Sequence, residues 1–187
     1  MTPAAETSET PSKKPAKPRR SARVKAVEEV GRGYFAAISS RNVEAVTSFF
    51  SSDGIDDIVP LGVFRGPAEI GETFRELFAA LPDLEFTVTR VVADHDAVVV
   101  EWRLSGTFDG AAFQGIEPTG KRVELRGLDH IEVNEDGKVT RVTGYYDGAD
   151  FARQVGLLPP QDSGADRAIL SGFNAITKIR REIANRR

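Results

Sequence analysis

The chain has 187 residues, with 17 Gly, 10 Pro, no Cys and a formal net charge of −3. That length suits one domain with a real core, and the lack of Cys excludes disulfides, thiolate zinc sites, thiol nucleophiles and iron–sulfur ligation. With no apolar run long enough for a membrane span, no apolar signal segment and only His95 and His130 as imidazoles, the expectation is a cytoplasmic protein without a metal centre.

Charge divides the chain. Residues 1–23 carry a net charge of about +4, residues 24–166 about −12 and residues 167–187 about +5. The first of these segments has no Val, Ile, Leu, Phe, Tyr or Trp. It cannot bury enough apolar area to offset its ordering entropy, so 1–23 reads as a disordered basic leader. Its KKPAKPRR run could meet nucleic acid or an anionic surface. Without an aromatic for base stacking, a solvated tail is the expected reading and nucleic acid is not an expected partner.

From Val24 a helical stripe begins, with Val27, Val30, Tyr34 and Ile38 at three- and four-residue steps. Asn42 can cap a second short helix carrying Val43, Val46, Phe49 and Phe50. A loop or short strand with Asp53, Asp56 and Asp57 follows, read as a solvated turn without the spacing of a calcium loop. Gly66-Pro67 opens a third helix with Ile70, Phe74, Leu77, Phe78 and Leu81 on one stripe, stopped at Leu81-Pro82.

Past Pro82 the period becomes two. Leu84, Phe86 and Val88 form one alternating set; Asp94-His95-Asp96 then turns into 97–104, where Val98, Val100, Trp102 and Leu104 share a face. Residues 106–120 read as a loop. Residues 121–133 are the clearest strand, with Val123, Leu125, Gly127, Asp129, Ile131 and Val133 on one face, and 138–146 are the last. Helices followed by an antiparallel meander make an α+β domain over 24–160, with helices on one side of a curved sheet. Residues 161–187 form a basic amphipathic helix carrying Ile169, Phe173, Ile176 and Ile183. Docking on an acidic body or a dimer partner is preferred for it over a membrane surface.

Asp129 interrupts an apolar stripe, where an unpaired carboxylate would cost several kcal/mol or protonate instead. It is either a cavity carboxyl with a raised pKa or a structural carboxyl satisfied by Arg or backbone. Tyr34 is either a core phenol or a phenol pointing into the same cavity. His130 should face away from Asp129, as a surface or interface residue with a general-base alternative. Tyr145, Tyr146 and Asp147 would stand at a cavity mouth. Gly31-Arg32-Gly33 is not a phosphate loop, since no strand precedes it.

Several phrases, in order, resemble the SnoaL-like branch of the NTF2-like superfamily, which includes polyketide (ester) cyclases, ketosteroid isomerase and limonene-epoxide hydrolase. They are Gly33-Tyr34-Phe35, 42–46 (NVEAV), 64–70 (FRGPAEI), 118–121 (PTGK), 136–139 (DGKV), Tyr145-Tyr146-Asp147 and 154–159 (QVGLLP). The resemblance covers about 24–160. It implies a cone of curved sheet closed by three helices around a hydrophobic pocket, in a homodimer. It also puts Tyr34 and Asp129 where the isomerase has its oxyanion hole, Val59 where it has its base, and Gly144 where the cyclases have an acid.

Two functions follow as expectations. The first is a cofactor-free cyclase or isomerase acting on a hydrophobic carbonyl compound. There Asp129 and Tyr34 would polarise the carbonyl, and Asp57, His130 or Asp147 would take the acid–base step. Trp102, Tyr145, Val59, Phe74, Phe86 and Leu125 would wall the substrate pocket. The alternative is a non-catalytic ligand-binding or dimeric assembly module, favoured by Val59 and Gly144 standing in for acids.

Overall fold

The structure, a computed structural model, describes residues 21–185. Most of the expected leader, 1–23, lies outside the described residues. Its last part is already ordered, because Ser21 caps α1 (Ala22–Ser39) by accepting from the Val24 N–H at 3.2 Å. Arg23 fastens that end to the sheet, donating to the carbonyls of Val133 and Asn134 at 3.0 and 2.6 Å. Asn42 caps α2 (Val43–Ser48) by accepting from the Ala45 N–H.

Of the two readings of the acidic segment, loop or short strand, the structure has a strand, β1 (Phe50–Ile58), which leads into β2 (Gly62–Arg65). Asp56 is buried in it and not part of a solvated turn. Pro67 then sits in the first turn of α3 (Gly66–Ala80), where its missing N–H costs nothing. The meander follows as β3 (Glu85–Ala93), β4 (Ala97–Phe108), β5 (Lys121–Val133) and β6 (Val139–Tyr146). Strand β4 runs through Phe108, into what reads from the sequence as loop. Two helices end the chain, α4 (Gly148–Val155) and α5 (Gly164–Ala184).

The six strands make one curved sheet in the order β2-β1-β6-β5-β4-β3. All neighbours are antiparallel except β1 and β6, which pair in parallel with Ile58 opposite Gly144. Alternation gives this sheet a dry face: Val98, Val100, Trp102 and Leu104 of β4 are buried, as are Val123, Leu125, Asp129, Ile131 and Val133 of β5. Helix α1 lies along that face. A glycine inside a helix costs about 1 kcal/mol relative to Ala, but a Cβ at Gly31 would stand 2.8 Å from Val98 Cγ1. The glycine lets the helix close onto β4, which is the physical use of the Gly31-Arg32-Gly33 run.

Helix α5 is different. Its start is held by Ser163, which caps it, and by an Arg153–Asp166 ion pair of 3.7 Å. Beyond that none of its residues is buried, and Phe173 is 66% exposed. Among the described residues no helix is long and apolar enough to cross a membrane.

Candidate functional site

Between the dry face of the sheet and the helices α1 and α3 lies a cavity with about 100 Å³ of free space. Its walls are mostly apolar, and the polar groups that reach it come from different elements: Tyr34 from α1, Asp56 from β1, Thr73 from α3, Asp129 from β5 and Tyr146 from β6. Phe113, from the loop after β4, and Phe151, from α4, close its other end and meet edge-on, with ring centroids 6.4 Å apart.

Asp129 is held by one donor. The Trp102 indole Nε1–H donates to its Oδ1 at 2.8 Å. Trp102 sits directly opposite Gly127 in the β4–β5 ladder, one inward position from Asp129. A Cβ at Gly127 would collide with the indole ring and with the Tyr145 carbonyl, so the missing side chain lets the ring lie across β5. Burial pushes the Asp129 carboxyl up to about 7, with the Trp102 hydrogen bond working against that rise.

Asp56 is the other buried carboxyl, 2% exposed, and its Oδ2 has no hydrogen-bond partner. Burial pushes it up to about 8, with the charges of Asp129 and then Asp57 adding to the rise. The same causes hold the Tyr34 phenol well above its ordinary value: burial first, then Asp56, then Asp129. The site therefore pairs two carboxyls, each able to hold or release a proton near neutral pH, with a neutral phenol.

Of the residues singled out from the sequence, Tyr34, Asp129, Trp102, Phe74, Phe86 and Leu125 line this cavity. Asp57, His130, Asp147, Tyr145 and Val59 do not. Asp57 follows Asp56 on a strand, so it points to the other face, where Arg141 Nη1 donates to its Oδ2 at 3.0 Å. His130 is turned outward for the same reason, next to Asp129 in β5 and opposite Val99 and Thr143. Asp147 is an N-cap, its carboxylate accepting from the N–H groups of Ala149 and Asp150. Tyr145 and Val59 are about half exposed, 49% and 54%.

The residue missed by reading the sequence is Asp56. Its signal is the period of two: Asp56 and Ile58 fall on one face of β1, and both line the cavity. Reading 53–57 as a turn hides that alternation. Gly144 lies across from Asp129, and a Cβ there would stand 3.2 Å from Asp129 Oδ1. A side chain at that position would crowd the carboxyl. Among the described residues no group of three or more His, Asp or Glu is placed to hold a metal ion.

The sequence matches the SnoaL-like polyketide cyclase family over residues 28–155. It matches no curated protein. Solved structures share the fold. A protein of Jannaschia sp. CCS1, assigned as a SnoaL-like polyketide cyclase, aligns with a TM-score of 0.69 at 20% identity, covering 76% of this chain and all of its own. AclR of Streptomyces galilaeus, assigned as a hydroxylase, aligns at 0.63 and 20% identity over 73% of this chain and 99% of its own. The epoxide hydrolase/cyclase-like enzyme SalBIII, of pyran ring formation in the polyether salinomycin, aligns at 0.57 and 19% identity over 67% and 94%. Helix α5 lies beyond the matched residues.

Proposed function

This chain belongs to the SnoaL-like polyketide cyclase family, and we propose that it is a cofactor-free cyclase or isomerase acting on a hydrophobic carbonyl compound. The observation that carries this reading is the pair of buried carboxyls, Asp56 and Asp129, on the wall of one apolar cavity with the Tyr34 hydroxyl. The family resemblance implies an oxyanion role for Asp129. The Trp102 N–H favours the reverse, because it stabilises the ionised form of Asp129, while Asp56, with the higher value, keeps its proton.

In the proposed reaction the Asp129 carboxylate removes a proton from the carbon next to the substrate carbonyl. The resulting enolate oxygen is stabilised by hydrogen bonds from protonated Asp56 and Tyr34. In an isomerisation Asp129 returns its proton to another carbon of the enolate. In a cyclisation the enolate carbon attacks a second carbonyl of the same molecule, and the new alkoxide takes a proton from Asp56. Protons balance in both, and the carboxyls exchange their protons with water between turnovers.

Proton removal can be measured before the substrate is known. In deuterated water, 2-tetralone and related apolar ketones should lose their α-protons faster with the protein than with buffer, and Asp129→Asn should abolish the excess. No excess exchange with any ketone would reject the reaction.

A second reading is favoured by α5, whose Ile169, Phe173, Ile176, Ile179 and Ile183 are all more than half exposed. It is a homodimeric assembly module, with α5 engaging a second copy. Removing 161–187 and measuring mass by light scattering tests this; an unchanged number of subunits would reject it.

A further inference from the structure

The cavity can carry negative charge but holds nothing to balance it. Asp56 and Asp129 are 2% and 9% exposed, and Oδ2 of Asp56 meets no hydrogen-bond partner. Among the described residues no Lys, Arg or His lines the space. Arg141 is on the opposite face of the sheet, paired with Asp57. The remaining polar groups that face the carboxyls are Tyr34 from α1, Thr73 from α3, Trp102 from β4 and Tyr146 from β6, and none of these is a cation.

Three kinds of ligand can be compared. An anion would meet two carboxyls and no donor of positive charge. A neutral hydrocarbon would leave Oδ2 of Asp56 buried and unpaired, which costs free energy. A cation would gain a carboxylate partner in a low-dielectric space and also stand among the aromatic side chains of Trp102, Phe74 and Phe86. From this arrangement we infer that the cavity takes a ligand bearing an ammonium group, held by Asp56 and Asp129 against the aromatic walls. The inference rests on the proposed function for the reacting carbonyl; together they describe an apolar substrate carrying both a carbonyl and an amine.

Binding then has a proton balance. A fixed cation favours an ionised carboxyl, so near neutral pH its entry expels a proton from Asp129, the carboxyl of lower value, to solvent and leaves Asp56 protonated. Affinity for such a cation rises with pH. Burial keeps Tyr146 at about 12 and Tyr34 well above its ordinary value, so both phenols stay neutral across the range.

Calorimetry with the whole chain tests this using phenyltrimethylammonium and tert-butylbenzene, which share a shape and differ in charge. The expected result is about tenfold tighter binding of the ammonium at about pH 9, a smaller preference at about pH 6, and heats near neutrality that depend on buffer ionisation through proton release. Asp56→Asn should reduce the preference, because only the Asp129 carboxylate remains to meet the cation. If that variant fails to fold, the pH dependence of the unaltered chain decides alone. Equal or tighter binding of tert-butylbenzene, or an ammonium affinity flat or falling with pH, would overturn the inference. Ketone exchange without ammonium preference overturns it and spares the reaction; ammonium preference without exchange does the opposite.

Discussion

Trp102 and Asp129 form a buried hydrogen bond of 2.8 Å from β4 to β5. Trp102 is the single tryptophan of the chain, so its emission reports on the carboxyl it touches. The fluorescence of the native protein is expected to titrate with a midpoint near the Asp129 value of about 7. Asp129→Asn should remove that transition. Emission that stays flat from about pH 5 to pH 9 would separate the indole from the carboxyl.

The same bond sets the charge on Asp129. A hydrogen bond to a charged group contributes about 1.5–3 kcal/mol, equivalent to about one to two pKa units. Trp102→Phe should therefore raise Asp129 above its value of about 7 by that amount. Ketone α-proton exchange in this variant should need a correspondingly higher pH, measured as a rightward shift of its pH–rate profile. An unmoved profile would mean that Asp129 is not the base.

Stability should fall as pH rises. Asp56 and Asp129 have folded values of about 8 and about 7, far above the ordinary unfolded carboxylate value of about 4. The folded state binds more protons than the unfolded state between those limits. Their stabilising contribution is full below about pH 4 and is lost as pH climbs through the folded values. At one or more kcal/mol for each pKa unit of difference, the pair is worth several kcal/mol. Melting scans should show a declining midpoint from about pH 5 to pH 9, and a shallower decline in Asp56→Asn.

Gly127 carries the packing side of the Trp102 contact. In Gly127→Ala the new methyl would collide with the indole and with the Tyr145 carbonyl. Overpacking of this kind costs about 1–3 kcal/mol. The variant should melt lower, and its tryptophan emission should lose the Asp129 titration because the ring can no longer reach across β5.

Much of this geometry was legible from periodicity. The stripe through Val27, Tyr34 and Ile38 and the alternation from Val123 to Val133 placed Tyr34 and Asp129 on buried faces, because core faces repeat with the period of their element. Asp56 was not legible in the same way. Its strand is acidic, and the register shifts between Phe50 and Ile55, so the alternation holds only over the short stretch through Asp56 and Ile58. Polar composition then argues for a turn, while burial comes from the parallel partner β6, a non-local pairing with no local signal. The closure of the cavity by Phe113 and Phe151 has the same origin, since loop and helix meet only in the folded chain.

Asp56 and Asp57 make the sharpest test, being adjacent, chemically identical and opposite in environment. Asp57 is ion-paired to Arg141 on a face where both side chains are about one-third exposed, 30% and 35%. Pairs of that kind contribute at most about 1 kcal/mol. Asp57→Asn should therefore shift the melting midpoint only slightly and leave ketone exchange within about twofold of the native rate. Asp56→Ala removes the hydrogen-bond donor offered to the enolate, and losing one such donor costs about 10²–10³ in rate. Exchange measured on both variants against the native chain separates the two faces. Equal losses would mean that β1 acts through its charge as a whole and not through one inward carboxyl.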